Sequence, residues 1–178
     1  SSAALNITID TTVNAPAALD LAAIDDTGDS SSDNVTNNTT NLTISGTSEA
    51  NASITLTSDQ DGNRGTTTAN GSGNWTLDIS LTANLTHAVT AVATDIAGNV
   101  SVSSIALNIT IDTNAPNAPL ALDLAAIDDT GISNSDNITS STTNLTISGT
   151  AEANASIILT SSFDGAVGTT AADGAGDW

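Results

Sequence analysis

A repeat of 103 residues constrains this chain more than any other feature. The stretch Leu19-Asp20-Leu21-Ala22-Ala23-Ile24-Asp25-Asp26-Thr27-Gly28 returns as Leu122 to Gly131, an offset of 128 − 25 = 103. Asn41 to Thr47 returns as Asn144 to Thr150, Glu49 to Ser53 as Glu152 to Ser156, and Trp75 as Trp178. Leu5 to Thr11 returns as Leu107 to Thr113 at an offset of 102, with the difference absorbed in the linker that follows. Fixed-period self-similarity is the signature of a repeat architecture. The reading is therefore the last strand of a preceding repeat at residues 1–10, a complete repeat at 11–112, and about two-thirds of another at 113–178. The natural chain is expected to extend in both directions.

Within each repeat, apolar residues alternate with Thr, Ser and Asn at period two. Leu5, Ile7 and Ile9 share one side; so do Leu107, Ile109 and Ile111, and Trp75, Leu77, Ile79 and Leu81. That periodicity predicts half-buried strands and no helix. About seven short strands per hundred residues predict an all-β fold: tandem immunoglobulin-like Greek-key β-sandwich domains. With no Cys in the chain, these domains fold without disulfides. The strands are expected at about 19–24, 41–45, 53–57, a pair within 65–81, 88–94 and 104–112. Pro16, Pro116 and Pro119 are the only prolines, and all follow the Ile-Asp-Thr strand ends. Proline stiffens an extended linker, so hinging between repeats should be restricted.

The topology decides which side chains can meet. The loops after the second and sixth strands lie where the chain enters a domain; those after the first, third and fifth lie where it leaves. Asp10, Glu49 and Asp95 should therefore gather at the leading end of the complete repeat. Asp112 and Glu152 rebuild that set one repeat later. A second acidic constellation is the loop carrying Asp25, Asp26, Asp33 and Asn34, copied as Asp128, Asp129, Asp136 and Asn137; Asp29 is not copied, becoming Ile132. Clustered carboxylates repel unless a cation joins them, and Ca²⁺ accepts six to eight such oxygens. Ca²⁺ is thus the expected cofactor and calcium ions the expected partners, together with neighbouring repeats of the same chain. Asp59 and Asp61 read as a plain turn.

One Lys or Arg stands against 20 Asp and Glu, a net charge of −19. That balance excludes phosphate-backbone recognition, so no nucleic acid is expected, and it disfavours anionic membrane surfaces. No apolar run approaches the ~18 residues that span a bilayer, so no direct membrane insertion is expected. The complete repeat holds one His, His87, one Arg, Arg64, and no Lys, Tyr or Cys, too little for acid–base or nucleophilic chemistry. No enzyme is expected, and His87 reads as a surface or strand-end residue. Trp75, Phe163 and Trp178 are the only aromatics, so a carbohydrate-binding module would need Trp75 exposed. Asn-x-Ser/Thr matches at Asn6, Asn41, Asn74, Asn84 and Asn108 follow from Asn and Thr abundance, whereas Asn51 and Asn154 sit in Glu-Ala-Asn-Ala-Ser, which resembles a bacterial glycosylation acceptor, so a glycoprotein is a further alternative. The main rival is a structural repeat of an extracellular filament or S-layer, with lateral self-association or a strand donated between protomers.

Several motifs carry a family resemblance: Leu19 to Gly28, Leu145-Thr146-Ile147-Ser148-Gly149-Thr150, Ala93-Thr94-Asp95-Ile96-Ala97-Gly98-Asn99, Asn70-Gly71-Ser72-Gly73-Asn74-Trp75, and Ile109 to Pro116. The chain resembles the bacterial Ig-like repeats of large biofilm-associated and host-attachment surface adhesins, including those of RTX-type secretion, over essentially its whole length. The resemblance implies extender arrays that project a distal ligand-binding region from the bacterial cell surface. It further implies an extracellular location, calcium at and near the junctions, and export before calcium is met.

Overall fold

The computed structural model describes residues 3–28 and 30–178, so Asp29 lies outside the described residues. Contacts divide the chain into two compact units, Ser1–Asn114 and Ala115–Trp178. Both are all-β.

In unit 1 the strands are β1 (Ala17–Leu21), β2 (Val35–Thr36), β3 (Leu42–Thr47), β4 (Ser53–Ser58), β5 (Gly62–Thr68), β6 (Asn74–Ile79), β7 (Leu85–Thr94) and β8 (Leu107–Ile111). They form a sandwich of two sheets, ordered β1-β3-β6 and β2-β8-β7-β4-β5. The inward rows follow the alternation: Leu42 and Ile44 of β3 face Ile54 and Leu56 of β4, Val89, Ala91 and Ala93 of β7, and Ile109 and Ile111 of β8. Alanines on β7 make this core thin, and no disulfide supplements it. β1 runs antiparallel to β3 at the sheet edge and carries one extra residue between Ala17 and Asp20. Such a bulge protects an edge from pairing with other chains.

Trp75 is 3 % exposed and pairs across the sheet with Gly46. A Cβ on Gly46 would overlap the indole ring and lie 3.1 Å from the Ala17 carbonyl. Glycine is required here because the ring lies directly on the backbone. The pair recurs as Gly149 and Trp178, whose backbones exchange two hydrogen bonds. Gly46→Ala is expected to cost about 1–3 kcal/mol through overpacking. Urea unfolding monitored by Trp fluorescence would check this; an unchanged midpoint would contradict the packing.

Unit 2 repeats the start of the plan. β9 (Leu120–Leu124) pairs with β10 (Ile147–Thr150), and β11 (Ser156–Ser161) with β12 (Gly165–Ala171). Its first strand bulges between Leu120 and Asp123 opposite Thr150 and Ser148, as β1 does between Ala17 and Asp20.

Three features differ from the sequence expectation. Leu5–Asp10, read as a strand, has no sheet partner among the described residues, and Leu5, Ile7 and Ile9 are 82, 75 and 83 % exposed. The same sequence at Leu107–Ile111 is β8, because β7 lies beside it to complete the ladder. A strand exists only where its backbone groups find partners. Secondly, the first strand spans Ala17–Leu21 rather than 19–24, since the chain turns at residues 23–25. Thirdly, His87 is fully buried rather than on the surface. β7 begins at Leu85, which puts His87 on the inward row with Val89. Its ring nitrogens are satisfied by Ser58 Oγ at 3.0 Å and the Thr82 carbonyl at 2.8 Å. A carbonyl only accepts, so Nε2 donates to Thr82.

Candidate metal centre

The leading end of unit 1 is built by two connections. The tight turn 48–52 joins β3 to β4, and Asn51 in it takes a left-handed φ of 63°. The segment after β7 turns sharply at Gly98, φ 90°, closed by Asp95 N donating to the Asn99 carbonyl at 3.1 Å and Gly98 N to the Asp95 carbonyl at 3.2 Å. Asparagine tolerates φ > 0 better than most residues, and glycine adopts it without penalty. These two turns present Glu49 and Asp95 side by side.

Asp10 completes the set. The Asn99 side-chain amide donates both to the Asp10 carbonyl, at 3.2 Å, and to Asp95 Oδ2, at 2.7 Å. Asn99 thereby ties the segment preceding the repeat to the loop after β7. One carboxylate oxygen from each of Asp10, Glu49 and Asp95 lies within 4.8 Å of the others. An ion with Ca–O distances of about 2.4 Å reaches oxygens up to roughly 4.8 Å apart on opposite sides. Asp95 is buried, whereas Asp10 and Glu49 are exposed. The chain's one Lys or Arg, Arg64, is engaged elsewhere, donating to the Asn63 and Ser80 carbonyls and lying 3.8 Å from Asp61. No cationic side chain of the described residues offsets the three carboxylates. An all-oxygen donor set suits a hard cation such as Ca²⁺.

The Asp95 carboxyl is held below the ordinary aspartate range, chiefly by the Asn99 side-chain amide and then by backbone amides of Asn99, Gly98 and Ala97; burial opposes them. Asp59, bonded first by the Ala88 amide, and Asp61, bonded first by the Thr82 hydroxyl, are lowered as well. A carboxyl depressed in the folded state stabilises above its unfolded value, and that contribution vanishes as pH falls through the folded value. Unit 1 should therefore hold its stability from pH 8 to about pH 5 and lose it below about pH 4. Urea midpoints measured at pH 7 and pH 3 check this; equal midpoints would contradict it.

The other expected residues are placed as follows. Asp112 follows β8 at the trailing end of unit 1, where its Oδ1 accepts from Asn114 N at 2.9 Å. Glu152 lies in the turn between β10 and β11 of unit 2. In the acidic loop of unit 1, Asp25 Oδ2 accepts from Thr43 N at 2.9 Å, Asp26 Oδ2 from Asn34 N at 3.0 Å, and Asp33 Oδ1 from Val35 N at 3.1 Å. Unit 2 reproduces these bonds: Asp128 with Thr146 N, Asp129 with Asp136 N and Asn137 N, and Asp136 with Ile138 N. Asn34 and Asn137 take left-handed φ values of 61° and 59°. Among the described residues, these loops do not bring three carboxylates together as the leading end does. Sequence reasoning did not single out Asn99, although its place four residues after Asp95, beyond a glycine, is the signal of an amide-capped turn.

The bacterial Ig-like domain family profile matches residues 12–113 and again 116–178. No curated protein matches the chain. Among the described residues no helix is long and apolar enough to cross a membrane.

Proposed function

The chain belongs to the bacterial Ig-like domain family, and from that premise we propose that it is a stalk segment of a bacterial surface adhesin, stiffened by calcium at the leading end of each repeat. The supporting observation is the meeting of Asp10, Glu49 and Asp95 with no cationic side chain of the described residues to offset them. Asp10 belongs to the segment that precedes the repeat, whereas Glu49 and Asp95 belong to its end loops. An ion held by all three would cross-link that segment to the domain. A flexible linker would thereby become a joint, which is what an extender needs. Family membership supports the surface or extender role. Asp112 and Glu152 would serve the following joint. The protein would act outside the cell, where free calcium is plentiful.

Burial of Trp75 removes the aromatic platform that a sugar site would use. Phe163 is 97 % exposed but stands alone in a turn. Hydrogen exchange at residues 10–12 and 95–99 tests the joint. Strong protection in calcium and its loss in chelator are expected; equal exchange in both would sink the proposal. Sedimentation velocity separates the rival reading, since a stalk segment stays monomeric in calcium and a filament or S-layer repeat assembles.

A further inference from the structure

The turn between β5 and β6 holds the chain's one Asn-Gly pair, Asn70-Gly71. Asn70 is exposed. Its side-chain Oδ1 accepts from two backbone amides, Ser72 N at 2.8 Å and Asn74 N at 3.1 Å. Gly71 N donates to no acceptor among the described residues. A Cβ placed on Gly71 would meet nothing within 4 Å, so the space around it is open. At the offset of 103 residues the same turn reads Asp173-Gly174. Asp173 Oδ1 accepts from Ala175 N at 2.8 Å and Asp177 N at 3.0 Å. Its backbone closes on Asp177 and Gly176 as that of Asn70 closes on Asn74 and Gly73. The Asp177 and Ala175 amides hold the Asp173 carboxyl below the ordinary aspartate range. This turn therefore stabilises negative charge on that oxygen, and unit 2 carries an acid where unit 1 carries an amide.

We propose that Asn70 is a self-modification site, at which the chain deamidates through Gly71 to the acid that unit 2 already carries. Gly71 N adds to Asn70 Cγ, and its lack of a side chain leaves the approach open. Negative charge develops on Oδ1, where the Ser72 and Asn74 amides already point. Donors preset at a developing oxyanion lower the barrier to such an addition. The Cγ–Nδ2 bond then breaks, and ammonia leaves with the proton given up by Gly71 N. A five-membered succinimide remains, and water opens it at either carbonyl. Breaking the new Cγ–N bond gives an ordinary aspartate. Breaking the original peptide bond gives an isoaspartate, with one more carbon in the backbone. The turn abuts the one that carries Glu49: Ser48 N donates to the Gly73 carbonyl at 2.8 Å and Asn51 N to the Asn70 carbonyl at 3.4 Å. The aspartate form keeps that register, whereas the isoaspartate form shifts it. The reaction needs no bound ion and is independent of the joint formed by Asp10, Glu49 and Asp95.

The test incubates the whole folded chain at mildly alkaline pH and maps it with a protease that cuts before aspartate. Asp61 and Asp78 bound the peptide that contains Asn70, with no other Asp or Glu between them. A single equivalent of ammonia should be released per chain. The peptide should split before residue 70 in the aspartate product, and stay whole with one added negative charge in the isoaspartate product. Gly71→Ala should suppress the release, and the open space at its Cβ lets that variant keep the fold. Conversion at Asn70 only after unfolding in urea would overturn the proposal and show that the two bonds to Oδ1 lock the side chain away from Gly71. Equal ammonia release from Gly71→Ala would overturn it as well.

Discussion

Glu49→Gln should weaken calcium binding at the leading end of unit 1 at least tenfold while leaving the calcium-free domain as stable as before, or slightly more stable. Glu49 is exposed and lies beside Asp10 and Asp95. Without an ion the three carboxylates repel one another, so neutralising one relieves that repulsion. With an ion, the same change removes a charged ligand. A tenfold loss of affinity is about 1.4 kcal/mol. In saturating calcium this shifts the unfolding midpoint down by roughly 6–11 °C, at about 4–8 °C per kcal/mol for a domain of this size. The opposite signs in calcium and in chelator are the diagnostic feature, because a purely structural role for Glu49 would lower both midpoints together. Paired thermal melts of wild type and variant in the two conditions check it. A parallel drop in both would contradict the ion-binding role.

Trp75→Ala carries the largest packing effect, about 3–5 kcal/mol. The indole spans the floor made by Gly46 and is almost wholly buried. Removing it leaves a cavity beside a glycine that offers no side chain to collapse into the space. The core gains little elsewhere, since β7 contributes Ala91 and Ala93 and no disulfide is present. The loss should be the same in calcium and in chelator, because the tryptophan is not part of the ion set. Urea titration by circular dichroism measures it. A cost under about 1 kcal/mol would mean that the ring is not the keystone its burial indicates.

Much of this was legible in the residues. The 103-residue offset and the period-two alternation led to the repeated sandwich, and the loop order of a Greek key placed Asp10, Glu49 and Asp95 at one end. What was not legible depended on neighbours that a local pattern does not contain. Leu5–Asp10 and Leu107–Asp112 share a sequence, yet only the second has a strand beside it. His87 looked polar and peripheral, and only the register of β7 reveals that it faces inward onto Ser58. The parallel pairing of β2 with β8 involves two residues, Val35 and Thr36, too short a run for periodicity to signal. The abundance of asparagine also has a local reason: Asn34, Asn41, Asn51 and Asn84 all adopt positive φ. At Asn84 the side chain additionally accepts from both the amide and the hydroxyl of Thr113.

The most direct test of calcium stiffening is thermal unfolding of the whole chain in calcium, in magnesium and in excess chelator. With free calcium at about a thousand times its dissociation constant, mass action adds about 4 kcal/mol to unit 1. That corresponds to a midpoint roughly 15–30 °C above the chelated protein, with magnesium well short of it. Identical midpoints in all three conditions would contradict the account and leave the acids as a solvated surface.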